Sequence, residues 1–171
     1  MLKKFLIILA AFSIIACSGR EVDISKKQER GGIVYIVNEQ KPFSGVITGK
    51  YGNGQVKIKE TFKDGKYNGE QYTYYDNGQV ESKADFENGV AKGTYFQYHR
   101  NGEVSYTGQF INGKRQGEWN RYTDDKKLIL TEFYNNGTLE DVKQYLVDTD
   151  KVKQKILDFF NQKFKSIVIK K

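Results

Sequence analysis

Residues 69–93 read GEQYTYYDNGQVESKADFENGVAKG, and this stretch decides the fold because its pattern recurs every 24 residues. Each unit has a leading glycine, an aromatic-rich run, a turn pair, an alternating run that ends in an aromatic residue, and a second turn pair. Three columns keep this spacing through four units: Gly45, Gly69, Gly93 and Gly117; Phe62, Phe86, Phe110 and Tyr134; and Gly65, Gly89, Gly113 and Gly137. Self-similarity at a fixed period of this length indicates a repeat architecture.

Turn pairs separate the runs within and between units. Asparagine or aspartate followed by glycine between alternating runs predicts a β-hairpin, since a type I′ turn needs positive φ at both central residues. The pairs are Asn53-Gly54, Asp64-Gly65, Asn77-Gly78, Asn88-Gly89, Asn101-Gly102, Asn112-Gly113 and Asn136-Gly137, and Asp125-Lys126 departs from the series. Pairs that lie 11 and 13 residues apart in alternation leave room for strands of roughly 6 to 8 residues. Each unit is therefore predicted to be two antiparallel strands of an elongated, mainly β meander.

Equivalent positions of successive units return to one sheet face two strands over, so the columns are expected to form ladders about 9.6 Å apart. The period of two places Val56, Ile58 and Phe62, and their counterparts in later units, on one face. Seven aromatic residues of the first strands form the candidate interaction surface: Tyr72, Tyr74, Tyr95, Phe96, Tyr98, Trp119 and Tyr122. These rings are expected on both faces, where they either stack on one another to support the sheet or contact a partner.

The units that begin at Gly69 and Gly93 resemble MORN repeats, in particular the bacterial variant found in YwqK-type antitoxin-like proteins. The resemblance covers about residues 45–140, and the lead-in from Gly31 to Gly45 is similar to the half-repeat with which such proteins begin. It implies an elongated sheet used for protein or membrane association, with no catalytic site to carry over. The outer strands depart from the pattern, since Thr48 and Lys50 stand where later units have aromatic residues.

Residues 1–16 are predicted to be a lipoprotein signal peptide. Two lysines precede an apolar run that is too short to span a bilayer, and the run closes on Ile14-Ile15-Ala16-Cys17. This resembles a lipobox, which implies cleavage before Cys17 and a diacylglycerol on its sulfur. An ordinary secretory signal and a short membrane anchor are the alternatives. The expected location is the cell envelope, and Ser18 after the cysteine favours the outer membrane if the host has one.

Three further segments complete the predicted organisation. Residues 17–30 are polar without periodicity and predict a flexible tether with a span of roughly 20 Å. Residues 31–147 form the repeat sheet, including one more strand after residue 138, and residues 148–171 form an amphipathic C-terminal helix.

Apolar residues recur at helical spacing in this last segment, at Val152, Ile156, Phe159, Phe160, Phe164 and Ile167. Lys153 and Lys163 lie within the same arc, where their aliphatic stems can follow apolar surface. One interpretation is a cap over the last strand edge or one sheet face. The other is a basic helix that rests on anionic lipid or docks in a partner, with Lys153, Phe159, Phe160, Lys163 and Phe164 in contact.

Enzymatic chemistry is not expected from these residues. The lone His99 shares a column with Tyr51, Tyr75 and Thr123, and is predicted to be a strand residue facing solvent; one histidine and one cysteine assemble neither a nucleophile–base pair nor a metal site. No cofactor and no small-molecule substrate are expected. The net charge of +7 is spread among acidic residues, and no nucleic-acid-binding motif accompanies it.

The sequence is compatible with several functions. The first is a membrane-anchored envelope lipoprotein whose sheet binds another envelope protein or a like chain. The second is an antitoxin or immunity protein that neutralises a cognate toxin. A weaker alternative is binding to peptidoglycan or to an anionic membrane.

Overall fold

The computed structural model describes residues 19–145, which form thirteen β-strands and one short 3-10 helix, Ile24–Lys26. The strands are β1 Glu21–Asp23, β2 Lys27–Arg30, β3 Ile33–Ile36, β4 Gly45–Lys50, β5 Val56–Lys63, β6 Lys66–Tyr67, β7 Gly69–Tyr74, β8 Val80–Glu87, β9 Val90–Tyr98, β10 Val104–Ile111, β11 Lys114–Tyr122, β12 Leu128–Asn135 and β13 Thr138–Gln144.

One open sheet contains all of these strands except β2 and β3. From β4 to β13 each strand pairs antiparallel with the next along the chain, and β6 extends the line of β7 beside β5. The predicted meander is confirmed, as is the extra strand after residue 138. The signal peptide 1–16, Cys17 and the predicted helix 148–171 lie outside the described residues.

The predicted tether over residues 17–30 is wrong for the part that the structure describes. β1 pairs in parallel with β4, with Val22 opposite Ile47, and β2 forms a hairpin with β3. Val22 is 8% exposed. Backbone pairing and one buried valine hold this segment in place. Its polar composition therefore gave no sign that it is folded.

The N-terminal end of the sheet carries a compact core. The β2–β3 hairpin packs over the first strands, and the buried side chains are Val22, Val34, Ile36, Phe43, Ile47 and Phe62. Backbone bonds fix this packing, because Val34 N donates to Gly65 O at 2.9 Å and Phe43 N donates to Val34 O at 2.8 Å. The lead-in segment is therefore a cap on one face rather than a further strand of the main sheet.

Two kinds of turn alternate along the chain, so that each long edge of the sheet has turns of one kind. At Asp64-Gly65, and equally at the pairs 88–89, 112–113 and 136–137, both residues have positive φ, as the type I′ prediction requires. At Asn53-Gly54 and its counterparts only the glycine does, so a type I turn is followed by one left-handed residue. The prediction of type I′ turns is wrong for this second edge, hereafter the three-residue-turn edge.

The fourth turn of that edge keeps the same shape without glycine. Lys126 takes the left-handed position, with φ of 65°, and its N donates to Thr123 O as Gly54 N donates to Tyr51 O. The departure seen in the sequence at Asp125-Lys126 therefore changes the residue type and not the backbone path.

A register shift near the start of each second strand changes which face its residues occupy. Tyr98 lies opposite Val104, whereas Gln97 lies opposite Tyr106, so Ser105 forms a bulge. The same shift occurs between Gly49 and Lys50, between Thr73 and Tyr74 and between Arg121 and Tyr122. The prediction that the valine column shares a face with the phenylalanine column is wrong for this reason.

Candidate interaction surface

The seven predicted aromatic residues separate onto the two faces of the sheet. Five share one face, because directly paired residues of antiparallel strands point the same way. We call it the Tyr face, and its rings are Tyr72, Tyr74, Phe96, Tyr98 and Tyr122. All five are partly exposed. The Tyr face is therefore an accessible aromatic surface.

Neighbouring rings of the Tyr face stack in pairs. The centroids of Tyr72 and Tyr74 are 6.0 Å apart, and those of Phe96 and Tyr98 are 6.1 Å apart, with interplanar angles near 20°. Both pairs repeat one geometry, since each residue of the second pair stands 24 positions after its counterpart. Pairs of this kind present flat, rigid apolar area with few rotatable bonds.

The other two predicted residues lie on the opposite face, which we call the Trp face. Trp119 is 0% exposed, and its ring stacks on Tyr95 at 5.8 Å. Phe110 and Tyr134 contact the indole edge to face at 4.9 and 6.2 Å. The prediction that Trp119 belongs to an interaction surface is wrong, because neighbouring strands bury the ring in an aromatic cluster to which Tyr95 also belongs.

Polar groups close this cluster. Tyr106 is 5% exposed and its hydroxyl donates to Glu132, while Arg115 donates to the hydroxyls of Tyr106 at 3.1 Å and Tyr134 at 2.8 Å. The guanidinium also lies 4.5 Å from the Trp119 ring centroid. Burial, reinforced by the hydrogen bond to Glu132, raises the pKa of Tyr106 well above its usual value. The hydroxyl is therefore a neutral structural donor.

A similar arrangement closes the N-terminal part of the Trp face. Lys27 and Glu60 form an ion pair of 2.7 Å whose side chains are 20% and 18% exposed. Tyr67 donates to the second oxygen of Glu60 at 2.8 Å, and the Lys27 ammonium lies 5.2 Å from the ring centroid of Phe62. Since Glu60 and Glu132 belong to one column, the same carboxylate position accepts a tyrosine hydroxyl at both ends of this face, and at Glu60 it also pairs with Lys27.

The Tyr face carries grooves at equivalent positions of the repeat. The first groove has a volume of about 380 Å³, and residues lining it are Thr48, Gln55, Val56, Lys59, Tyr74 and Gly78. The third groove has a volume of about 300 Å³ and is lined by Phe96, Glu103, Val104, Thr107, Tyr122 and Lys126. Each residue of the third groove stands 48 positions, or two units, after its counterpart in the first.

The unit between them places the same columns on the Tyr face. We call this stretch the middle groove after the two grooves that flank it, and the counterpart residues are Tyr72, Gln79, Val80, Lys83, Tyr98 and Gly102. The Lys83 ammonium lies 5.6 Å from the Tyr72 ring centroid and 2.5 Å from Glu70. Sequence reasoning missed the valine and lysine contributions, although the 24-residue columns contain them, because the bulge that brings the valines to this face leaves no mark in the spacing.

A ladder of side chains joins successive three-residue turns. The hydroxyls of Tyr51 and Tyr75 donate to the carbonyls of Tyr74 and Tyr98, each at 2.6 Å. Nε2 of His99 lies 2.9 Å from the carbonyl oxygen of Tyr122. The prediction that His99 is a strand residue facing solvent is wrong, because His99 follows the end of β9 and its ring bridges to the next unit. Its part in the sheet is structural.

Residues 19–145 contain neither a cluster of metal-ligating side chains nor a membrane-spanning helix. Across residues 19–145, no set of three or more histidine, cysteine, aspartate or glutamate side chains is placed to hold a metal ion. Within the same range no helix has the length and apolar character needed to cross a bilayer.

Comparisons with known proteins single out the central units. No curated protein matches the chain. The family model of the MORN repeat variant matches residues 67–88 and 91–112, two stretches that are offset by one period of 24 residues. They span β7 to β10. They contain all residues of the middle groove, and Phe96, Glu103, Val104 and Thr107 of the third groove. The chain thus contains two consecutive repeats that are similar to the MORN repeat variant.

Proposed function

We propose that this protein is a non-catalytic lipoprotein of the cell envelope that uses the Tyr face to bind another protein. One observation carries the proposal: five aromatic rings and two equivalent grooves share one accessible face of the sheet. Protein interfaces are enriched in aromatic residues that fit into pockets, and a few such anchors supply most of the binding energy.

The two faces of the sheet differ in how fully they are covered, and this difference supports the choice of the Tyr face. On the Trp face, the β2–β3 hairpin covers one end and the Trp119 cluster fills the other with its own side chains. On the Tyr face, Tyr98 and its neighbours stay partly exposed across three units. A partner that spans several units gains contacts additively, because each unit repeats the same geometry.

Attachment to the membrane is the second part of the proposal. The lipobox-like ending at Cys17 supports it, since the only cysteine of the chain stands where acylation takes place in lipoproteins. Each buried methylene contributes about 0.8 kcal/mol, so two or three acyl chains give stable attachment. The sheet begins within four residues of this position, at Glu21, so it is expected to lie close to the bilayer.

Cross-linking in intact cells tests the binding face. We expect Tyr98→Ala to reduce a cross-linked product that the unchanged protein forms by at least about fivefold, because truncation of a central aromatic anchor costs more than about 1 kcal/mol. Gln97→Ala is the matched control, since Gln97 is the next residue along β9 and points to the Trp face. Equal loss in both variants, or persistence in both, contradicts the proposed face.

Labelling with a radioactive or alkyne-tagged fatty acid tests the anchor separately. The unchanged protein is expected to incorporate the label and to fractionate with membranes. Cys17→Ala is expected to lose both properties. A protein that stays unlabelled and soluble while keeping its cross-linked partner overturns the anchor and leaves the binding face standing.

A further inference from the structure

We infer that the chain's own C-terminal segment, residues 150–167, docks as a helix across the grooves of the Tyr face. The inference rests on the proposed function and concerns the regulation of the same face, because a docked segment occupies the grooves until a partner displaces it. It rests on three properties: the spacing of the grooves, the place where the chain leaves the sheet, and the length and pattern of the residues that follow.

The grooves recur at the pitch of a helix surface. Equivalent points of neighbouring grooves are two strands apart, which is about 9.6 Å at 4.8 Å per strand. Seven residues of an α-helix rise about 10.5 Å. A helix that crosses the strands therefore places residues seven apart over successive grooves. The segment offers such pairs in Val152 with Phe159 and in Phe160 with Ile167.

The chain leaves the sheet beside these grooves. Tyr145 follows β13, and its N donates to Ile129 O at 3.0 Å, so the exit lies at the three-residue-turn edge. The grooves open near the same edge, since Gly78 and Lys126 of its turns line them. A segment that continues from Tyr145 therefore meets the third groove before the middle and first grooves.

The available length fits this path. The third groove centres on β10, three strands from β13, a distance of about 14 Å at the usual strand spacing. The five steps from Tyr145 to residue 150 reach about 17 Å when extended. Residues 150–167 as a helix extend about 27 Å, which exceeds the roughly 19 Å between the first and third grooves. The segment is long enough to cover all three.

The composition of the grooves suits the apolar arc of the segment. Val80, Val104 and the aromatic rings supply an apolar floor, and the ammonium group of Lys83 in the middle groove is paired with Glu70. Phe159 and Phe160 match the floor by size and polarity. Lys153 and Lys163 of the arc can direct their ammonium groups past the rims, where Gln79 and Glu103 are placed.

Disulfide trapping in the full-length protein tests this docking. The helix pitch predicts two register-matched pairs, Val104→Cys with Val152→Cys at the third groove and Val80→Cys with Phe159→Cys at the middle groove. Gln97→Cys with Val152→Cys is the control on the Trp face. Under mild oxidation we expect the matched pairs to form an intramolecular disulfide at least about tenfold faster than the control, given the effective concentration of a docked segment.

Each result is decisive. Rapid intramolecular disulfides in the matched pairs alone support docking in cis. Trapping that is equally fast on both faces, a disulfide in neither pair, or products at twice the chain mass overturn it, the last by showing a second copy as the occupant. Single-cysteine variants identify any contribution from Cys17, and far-ultraviolet circular dichroism verifies that each variant keeps its sheet. Failure here leaves the cross-linking test of the Tyr face unaffected.

Discussion

The indole of Trp119 packs directly on the backbone of Gly108. A Cβ atom built on Gly108 would lie 2.2 Å from Cδ2 of Trp119, closer than real side-chain atoms approach. One unit earlier the corresponding residues are Ala84 and Tyr95. The unit with the larger ring, Trp119, therefore has the smaller residue, Gly108, packed against it. The fully buried Trp119 therefore depends on the absence of a side chain at one position of β10.

Gly108→Ala is expected to destabilise the protein by about 1–3 kcal/mol, the usual cost of an extra group in a packed core. Trp119 is the single tryptophan and reports the transition by its fluorescence during urea denaturation. Gly52→Ala is the control, since nothing lies within 4 Å of its added Cβ. Equal midpoints for the two variants would show that the ring relaxes freely around the new methyl group.

The 24-residue period predicts the order of the strands, their antiparallel pairing and the composition of each column, because every unit repeats the same turn and strand lengths. It does not predict the face of Val104. The bulge at Ser105 adds one residue on β10, and one residue is enough to move a side chain to the opposite face. The grooves, which need that valine, were hidden for the same reason.

The sequence also did not predict which aromatic side chains are buried and which are exposed. Trp119 and Phe96 belong to similar aromatic-rich runs, yet one is buried and the other is partly exposed. The difference arises from long-range packing of Trp119 on Gly108 and beside Arg115, which no local pattern encodes. Likewise, residues 21–30 are folded because β1 pairs with β4 and β2 pairs with β3. Val22 is the single buried residue of this segment, and one buried residue gives no periodic pattern in the sequence.

Lys126→Gly is expected to stabilise the protein by about 1 kcal/mol. Lys126 occupies the left-handed region, which costs a residue with a Cβ roughly 1–2 kcal/mol, and glycine occupies the equivalent position in the three preceding turns. The lost ion pair with Glu103 offsets little of this gain, because the lysine side chain is 70% exposed. The measurement is the midpoint of thermal or urea unfolding.

The reciprocal change strengthens this test. Gly102→Lys introduces the same strain into the neighbouring turn, where φ is 85°, and is expected to lower stability by a similar amount. If both variants shift the midpoint in the same direction, backbone strain is not what distinguishes the two turns.

Val22→Ala separates an ordered N-terminal strand from a tether. The side chain is 8% exposed in the core with Ile47 and Phe43, so its truncation is expected to cost about 1–2 kcal/mol through lost burial and a residual cavity. Gln28→Ala, at an exposed position of β2, is expected to change stability by less than about 0.5 kcal/mol. Indistinguishable denaturation curves for these two variants would restore the tether.

Tyr106 makes stability depend on pH in alkaline solution. Burial and the hydrogen bond to Glu132 raise the pKa of its hydroxyl in the folded protein above the value of about 10 expected in the unfolded chain. The folded state therefore holds the proton more tightly. The stability that this proton contributes is complete below about pH 10 and is lost as the pH rises toward the folded pKa.

Tyr106→Phe removes this titration together with the hydrogen bond. The variant is expected to be less stable at neutral pH, where Glu132 and Arg115 lose a buried partner, by about 1–3 kcal/mol. Above pH 10 its stability should fall less steeply than that of the unchanged protein, by up to about 1.4 kcal/mol per pH unit for one proton. Urea midpoints measured at intervals from neutral to strongly alkaline pH give both quantities. Profiles that stay parallel throughout this range would mean that Tyr106 ionises as readily in the folded protein as in the unfolded chain.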